Sequence, residues 1–422
     1  MDISAPRGTY DTLPDESRWW QLIEERLRRV AGLYGYREIR LPIFEHTELF
    51  ERGVGDTTDI VQKEMYTFLD RGNRSLTLRP EGTASSVRAF VEHRLYNQSQ
   101  PTKWFYIGPM FRYDRPESGR YRQFNQFGLE AFGSREPVLD AEVVSLMVKL
   151  VESLGLTQYE LHLNTVGCPG CRPLYRERLV QYLQPMADKL CPDCRQRVEK
   201  NPLRVLDCKQ RGCQDAIKGF PVLAEYLCDR CKDHFEQVKT TLEIYGVKYV
   251  LDSQLVRGLD YYTNTAFEIL LPGIGAQSAV GGGGRYDGLI EQLGGPPTPG
   301  IGFALGLERL LLAMKSQNQT IAESGQVDVF VAIMDMEYEP QACALLNMLR
   351  NHGISSDMDY LGRSLKAQMK YANKSAGARM VVIIGEEEIK EQFLTLRNME
   401  SQEQMQVAQG EIVNKIKSIL GI

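Results

Sequence analysis

Two stretches constrain this chain more than any other feature: KWFYIGPMFRY (103–113) and YRQFNQFGLEAFG (121–133), joined by the polar loop DRPESGR. Both read as strands, and the short connection makes them a long antiparallel hairpin. Side chains alternate faces along a strand, so residues of equal parity share one. Gln126 and Glu130 therefore lie on one face with Phe124 and Gly128, Arg112 sits on the first strand, and the loop adds Arg115 and Arg120. A face holding arginines, an amide and a carboxylate is too polar for a core. It suits a ligand carrying both anionic and cationic groups. The other reading is a solvated outer face, against which the aromatic and glycine content of both strands counts.

A chain of 422 residues exceeds one ordinary core, so two or three domains are expected. Trp19, Leu22, Ile23, Leu27, Val30 and Leu33 recur at helical spacing, and VLDAEVVSLMVKLVESLG predicts a second amphipathic helix. After the polar stretch KSQNQTIAESGQ (315–326) the rhythm changes. VDVFVAIM, GISSDM, ARMVVIIG and QFLTLRN alternate with helical segments and predict a separate small α/β domain. With 43% apolar and 25% charged residues the composition is that of a soluble globular protein. No apolar run approaches the ~20 residues that span a bilayer, and MDISAPRGTYDTLP carries no legible signal peptide. A cytoplasmic protein without a membrane partner is the expectation. The formal net charge of −5 offers no bulk attraction for nucleic acid, so such a partner must be held by local patches.

Four further segments carry chemistry. In LVRGLDYYTNTAFEI (255–269), Arg257, Gly258, Asp260, Tyr261 and Tyr262 crowd the mouth of a predicted strand, where a cation and two phenols suit a pocket for a small polar molecule. In LRPEGTASS, Glu81 and Thr83 sit where a strand ends and a helix begins, a place that also suits a plain helix cap. The glycine run of AVGGGGRYDGL permits close backbone approach or forms a flexible loop. Arg309, in GLERLLL, lies in an otherwise apolar helix, where a snorkelling side chain is the ordinary expectation. No G-x-x-x-x-G-K-[ST] phosphate loop occurs.

Taken in order, these segments resemble the three signature motifs of class II aminoacyl-tRNA synthetases, and more narrowly those of the histidyl-tRNA synthetase family. RGTYDTLP (7–14), REIRLPIFE (37–45), TLRPEGT (77–83), FRYDRPESGRYRQFNQFGLE (111–130), LVRGLDYYT (255–263) and GLERL (306–310) carry the likeness over nearly the whole chain. RGLDYY is the most specific of them. The resemblance implies an α+β catalytic domain, an antiparallel sheet flanked by helices, over residues 1–325. It is interrupted by an insertion at 166–235 and followed by an anticodon-binding α/β domain at 326–422. It implies ATP-dependent ligation of L-histidine to tRNA(His) through a histidyl-adenylate, with Mg²⁺ bridging the phosphates, by a homodimer. Arg257 and Arg112 are the implied catalytic residues, on the carboxylate and α-phosphate. Glu81, Gly82, Thr83, Gln126, Glu130, Tyr261 and Tyr262 are implied in histidine binding. Arg112, Arg120, Phe124 and Arg309 are implied in ATP binding, with Phe124 and Arg309 sandwiching adenine. One departure stands out: the class II pattern has a glutamate two residues after the arginine of FR, and here it is Asp114. The rival reading is a non-catalytic histidine-sensing regulatory subunit of ATP phosphoribosyltransferase, which predicts eroded catalytic residues and no anticodon-binding domain.

Eight of the nine cysteines lie between Cys168 and Cys231. CPDC (191–194) and CDRC (228–231) have the spacing of zinc knuckles, which makes Cys191, Cys194, Cys228 and Cys231 a candidate structural zinc site. CPGC (168–171), Cys208 and Cys213 are left over. In the C-terminal segment Lys366, Lys370 and Lys374 fall four apart, a stripe that is ordinarily a solvated face; in the family it would lie on the tRNA-binding domain.

Overall fold

The computed structural model describes residues 3–55, 58–208, 210–256, 259, 261–274, 278–319 and 327–421. The chain divides into two compact units, Met1–Thr320 and Ile321–Ile422. The first opens with the helix Pro14–Leu33, started by Pro14 and an acidic first turn and buried through Ile23, Leu27, Val30 and Ala31. Strand β1 (Arg37–Glu38) follows, then a small sheet of β2 (Phe44–His46), β3 (Tyr66–Leu69) and β4 (Ser75–Leu78) in the order β2-β4-β3. The hairpin is β5 (Thr102–Phe111) and β6 (Gln123–Phe132), paired without a break from Thr102↔Phe132 to Phe111↔Gln123. Strands β7 (Glu160–Thr165), β8 (Val250–Leu251), β9 (Thr263–Leu270), β10 (Ala279–Arg285) and β11 (Gly300–Gly306) complete an eight-stranded sheet. Its order is β1-β5-β6-β11-β10-β9-β7-β8. The six inner strands run antiparallel, and the short edge strands β1 and β8 pair in parallel.

One face of this sheet is apolar. Phe105, Phe127, Leu129, Phe267, Ile269 and Phe303 form a single core with the helices Pro14–Leu33, Pro137–Ser153 and Leu307–Ser316. The residues of opposite parity, Phe124, Gln126, Gly128 and Glu130 among them, face away from that core, as the alternation of the hairpin requires. The glycine run is not a loop: Gly281 to Gly284 lie within β10, paired on both sides. A β-carbon on Gly281 or Gly283 would sit 2.2 or 2.0 Å from a backbone oxygen of β11, so only glycine fits there.

Asp140 is fully buried beneath the sheet and paired with Arg285, itself 1% exposed. Thr265 donates to Asp140 at 2.6 Å, and Arg285 also donates to the Ser134 carbonyl at 2.9 Å. Without Asp140 the buried guanidinium keeps only Asp287, 3.3 Å from Nη1, as a counter-charge. Asp140→Ala is therefore expected to cost about 3 kcal/mol or more, read as a lower urea midpoint at unchanged slope.

Between β7 and β8 the chain runs through short helices, including Arg172–Leu183, Pro192–Lys200 and Arg211–Ala216, and returns along Asp229–Ile244. Cysteines mix here with Tyr175, Leu179, Leu190, Val198 and Ile217 in a compact core.

The second unit holds β12 (Val329–Ile333), β13 (Ser356–Met358), β14 (Met380–Ile384), β15 (Phe393–Asn398) and β16 (Gln404–Ala408) in the order β13-β12-β14-β15-β16. The first three are parallel and the last two antiparallel. Every residue of β12 is buried, as a central parallel strand demands. The sequence pattern missed β16: QMQVA carries only two large apolar residues and reads as polar. Lys366, Lys370 and Lys374 are exposed on the helix Leu365–Lys374. No helix of the described residues is long and apolar enough to cross a membrane.

Candidate functional site

The polar face of the hairpin lines a cavity of about 290 Å³. Of the expected site residues, Glu81, Thr83, Arg112, Arg120, Phe124, Gln126, Tyr261, Tyr262 and Arg309 line it. Glu130 and Gly82 do not, and lie just behind the lining. Arg257, with Gly258 and Asp260, lies outside the described residues. Arg115 is not among the lining residues.

The cavity has two chemically distinct ends. One is built of carboxylates and phenols. Glu130 is fully buried, and its carboxylate accepts from Thr83 Oγ1 at 2.7 Å, Tyr106 OH at 3.3 Å and the Tyr286 hydroxyl. Burial pushes its pKa up to about 8, against the lowering effect of these hydroxyls. Burial, reinforced by Glu130, likewise holds the Tyr106 and Tyr286 phenols well above their ordinary value. Glu81 accepts from the backbone N–H of Thr83 at 2.7 Å and Ala84 at 2.8 Å. It thus caps the helix Thr83–Glu92 while facing the cavity, so the cap and the ligand readings both hold for one side chain. Burial raises its pKa, opposed by those N–H donors.

Tyr106 and Tyr286 were missed from sequence. The available signal for Tyr106 was a glycine opposite an aromatic. Gly128 pairs with Tyr106 across the hairpin, and a β-carbon on Gly128 or Gly82 would lie 2.0 or 2.3 Å from its ring. Gly302 makes the same allowance for Glu130, whose Oε2 would sit 2.0 Å from an added β-carbon. Two buried polar atoms of the lining residues, Gln126 Oε1 and the Tyr261 hydroxyl, have no hydrogen-bond partner among the described residues. Buried polar groups are seldom left so, and a ligand's donor and acceptor would complete both.

The other end is built of guanidiniums. Arg112 donates through Nε to the Pro80 carbonyl at 2.9 Å and lies over the Phe124 ring, 5.4 Å from its centroid. Arg309 does not snorkel: it is pinned by the Gly119 carbonyl at 3.1 Å and the Ala279 carbonyl at 2.6 Å. Burial lowers the pKa of both arginines, and the neighbouring Arg120 lowers it further. Arg120 pairs with Asp114, which gives the departure from the class II pattern an observed partner. Glu308 was also missed. It accepts from Asn125 N at 2.8 Å and Nδ2 at 3.1 Å, and burial raises its pKa to about 7. Three cations around one cavity repel each other when it is empty. A polyanion relieves that repulsion.

The cysteine set read from sequence needs correction. Cys191 and Cys194 do not meet Cys228 and Cys231. The structure groups Cys168, Cys171, Cys228 and Cys231 in one place and Cys191, Cys194, Cys208 and Cys213 in another. Spacing shows which cysteines sit on one turn. Which pairs meet is set by how the helices between them fold back.

The family model for histidyl-tRNA synthetase matches residues 8–170 and 200–310, and that for an anticodon binding domain matches 328–419. The chain is 58% identical over 420 residues to the histidine–tRNA ligase of Syntrophomonas wolfei, covering 100% of this chain and 99% of the relative. It is 56% identical over 418 residues to that of Desulforamulus reducens, covering 99% and 100%. Among solved structures, apo histidyl-tRNA synthetase of S. aureus aligns with a TM-score of 0.84 at 41% identity, covering 99% of this chain and 100% of that one. With a class II sheet, a two-ended polar cavity and these matches over its full length, the chain belongs to the histidyl-tRNA synthetase family.

Proposed function

We propose that the protein activates L-histidine with ATP and transfers the histidyl group to tRNA(His). The observation that carries this reading is the pairing, in one cavity, of a buried carboxylate–phenol end with a three-arginine end. The first end suits an imidazole, which offers one donor and one acceptor nitrogen. Tyr261 or Tyr262 takes one edge. Glu130 holds the other through Thr83 and Tyr106, whose hydroxyls it fixes. Glu81 and Gln126 take the α-ammonium. The carboxylate is then directed at the arginines.

In the activation step a histidine carboxylate oxygen attacks the α-phosphorus of ATP. The Pα–O bond to the β-phosphate breaks, and pyrophosphate leaves with the electron pair. The nucleophile is already an anion, so no general base is needed. The protein supplies in-line positioning and cationic stabilisation. Arg112 and Arg257 act at the α-phosphate, Arg120 and Arg309 at the distal phosphates, and Phe124 with Arg309 at the adenine. Glu268 and Glu308 line the cavity and are the carboxylates that would hold a Mg²⁺ ion, which would supply charge neutralisation of the phosphates. In the second step the terminal ribose hydroxyl of tRNA attacks the activated carbonyl, its proton passes to the departing phosphate, and AMP leaves with the electron pair of the broken acyl–oxygen bond.

We assign residues 1–325 to catalysis, with 166–235 as an insertion, and 326–422 to the anticodon, where the exposed lysine stripe offers phosphate contacts. A homodimer through the REIRLPIFE region is supported by exposed Ile43, Phe44, Phe68 and Leu69 on and beside the small sheet. A histidine sensor would use only the carboxylate–phenol end and leave the arginines without a ligand. The test is ATP–pyrophosphate exchange against all twenty amino acids, followed by charging of tRNA(His). Exchange with histidine alone is expected. Unpaired groups left by a wrong side chain should discriminate by ~10⁴ or more. Histidine binding without exchange would sink the enzyme reading and favour the sensor.

A further inference from the structure

We propose that the helical segment between β7 and β8 binds two zinc ions, each in its own Cys₄ site, and that the first of them positions the tyrosines of the histidine pocket. All eight cysteines of the segment sort into the two quartets, and within each the four sulfurs lie within 4.8 Å of one another. The sulfurs of Cys168 and Cys171 are 3.6 Å apart, those of Cys171 and Cys231 3.8 Å, and those of Cys191 and Cys208 3.9 Å. Four sulfurs set tetrahedrally at the ~2.3 Å zinc–sulfur distance have edges of about 3.8 Å. A disulfide would bring two of them to ~2.05 Å, and sulfurs this close surround one ion rather than a multi-iron cluster. A tetrahedral set of four thiolates suits zinc.

The backbone is arranged for the charge such a site carries. Cys228 N donates to Cys171 Sγ and Cys191 N donates to Cys213 Sγ, each at 3.2 Å. Cys191 and Cys228 also open the helices Pro192–Lys200 and Asp229–Ile244. Packing of reduced thiols alone would not gather all eight in fours with donors aimed at the sulfurs.

The two sites differ in what they hold. The Cys168/Cys171/Cys228/Cys231 site ties the outgoing and returning chain together at the root of the segment. Cys231 Sγ lies 3.3 Å from the side-chain amide of Asn264, and Asn264 exchanges backbone bonds with Val166 at 2.6 Å and Gly167 at 2.9 Å. Arg172, next to Cys171, donates to the Tyr262 carbonyl. This quartet therefore braces the turn that presents Tyr261 and Tyr262 to the cavity. The Cys191/Cys194/Cys208/Cys213 site holds the distal helices, which meet the rest of the unit through Arg197 and Arg204 on Asp59.

The metal content of the purified full chain, without a histidine tag, tests the proposal directly and independently of the catalytic reading. Two zinc ions per chain are expected, with the eight cysteines of the segment slow toward a thiol reagent until a chelator removes the metal. Fewer than two, whether one, none or iron in their stead, overturns it. The bracing role rests on the synthetase reading and is tested by exchange kinetics. Cys228→Ser/Cys231→Ser should hold one zinc and raise the KM for histidine about tenfold at unchanged kcat. Cys194→Ser/Cys213→Ser should hold one zinc and leave both constants unchanged. An unchanged KM in the first variant overturns the bracing role. Should a variant fail to fold, the stoichiometry and thiol protection of the unmodified chain still decide the two sites.

Discussion

Arg112→Ala is expected to lower histidine-dependent ATP–pyrophosphate exchange about 10³-fold. Nε of Arg112 is spent on the Pro80 carbonyl at 2.9 Å, which aims the terminal nitrogens into the cavity. The Phe124 ring covers the guanidinium on one side. A cation so fixed meets the developing charge on the α-phosphate without reorganising. Lysine cannot copy it, because a single ammonium cannot hold the Pro80 carbonyl and also present a planar fork to a phosphoryl group. Arg112→Lys should recover less than roughly a tenth of the loss. The melting temperature should change by no more than ~2 °C, since removing one of three crowded cations offsets the lost contacts. A comparable loss of stability would assign Arg112 to the fold instead. Arg257→Ala, tested alongside, should fall as far in activity.

Glu130→Gln should make the protein more stable at alkaline pH and much less active. The carboxyl is fully buried, with its pKa raised from 4.5 to about 8. Because the folded value lies above the unfolded one, the native state holds a proton between those values that the unfolded chain has released. Stability from this group is present below pH ~4.5 and is lost as pH rises through about 8. At roughly 1.4 kcal/mol per unit, the ionised carboxylate costs the native state several kcal/mol. Glutamine is isosteric, keeps an acceptor for Thr83 and Tyr106, and has no charge to bury. Thermal melts should therefore separate the two proteins little at pH 5 and by at least ~3 °C at pH 9. Exchange should move the other way, with kcat/KM for histidine falling about 10²-fold for loss of the acceptor that the carboxyl offers Tyr286 and an amide nitrogen does not. Equal melts at both pH values would mean that Glu130 is not neutral in the empty site.

Much of this site was legible because strand parity is a local rule. Phe124, Gln126, Gly128 and Glu130 share a face whatever else the chain does, and aromatic-rich flanks keep that face from being a solvated surface. Glu81 was ambiguous for a good reason, since one carboxylate caps a helix and lines the cavity. The glycine run was ambiguous for another. Glycine tolerates both a loop and a strand pressed against its neighbour, and the 2.0 Å clearance to β11 exists only once β11 is in place.

The sequence by itself determined the two-unit organisation, the hairpin with its polar face, and the order of motifs that marks the family. These rest on periodicity and on residues close in the chain. Only the tertiary structure decided which distant groups meet. Tyr286 reaches Glu130 across 156 positions, and Arg309 reaches Gly119 across 190. Cys228 finds Cys171 rather than Cys191. Such meetings follow from how strands and helices stack, and no spacing along the chain encodes them. The same stacking removes water from Glu130 and raises its pKa, a property of the closed pocket and not of a glutamate in a strand.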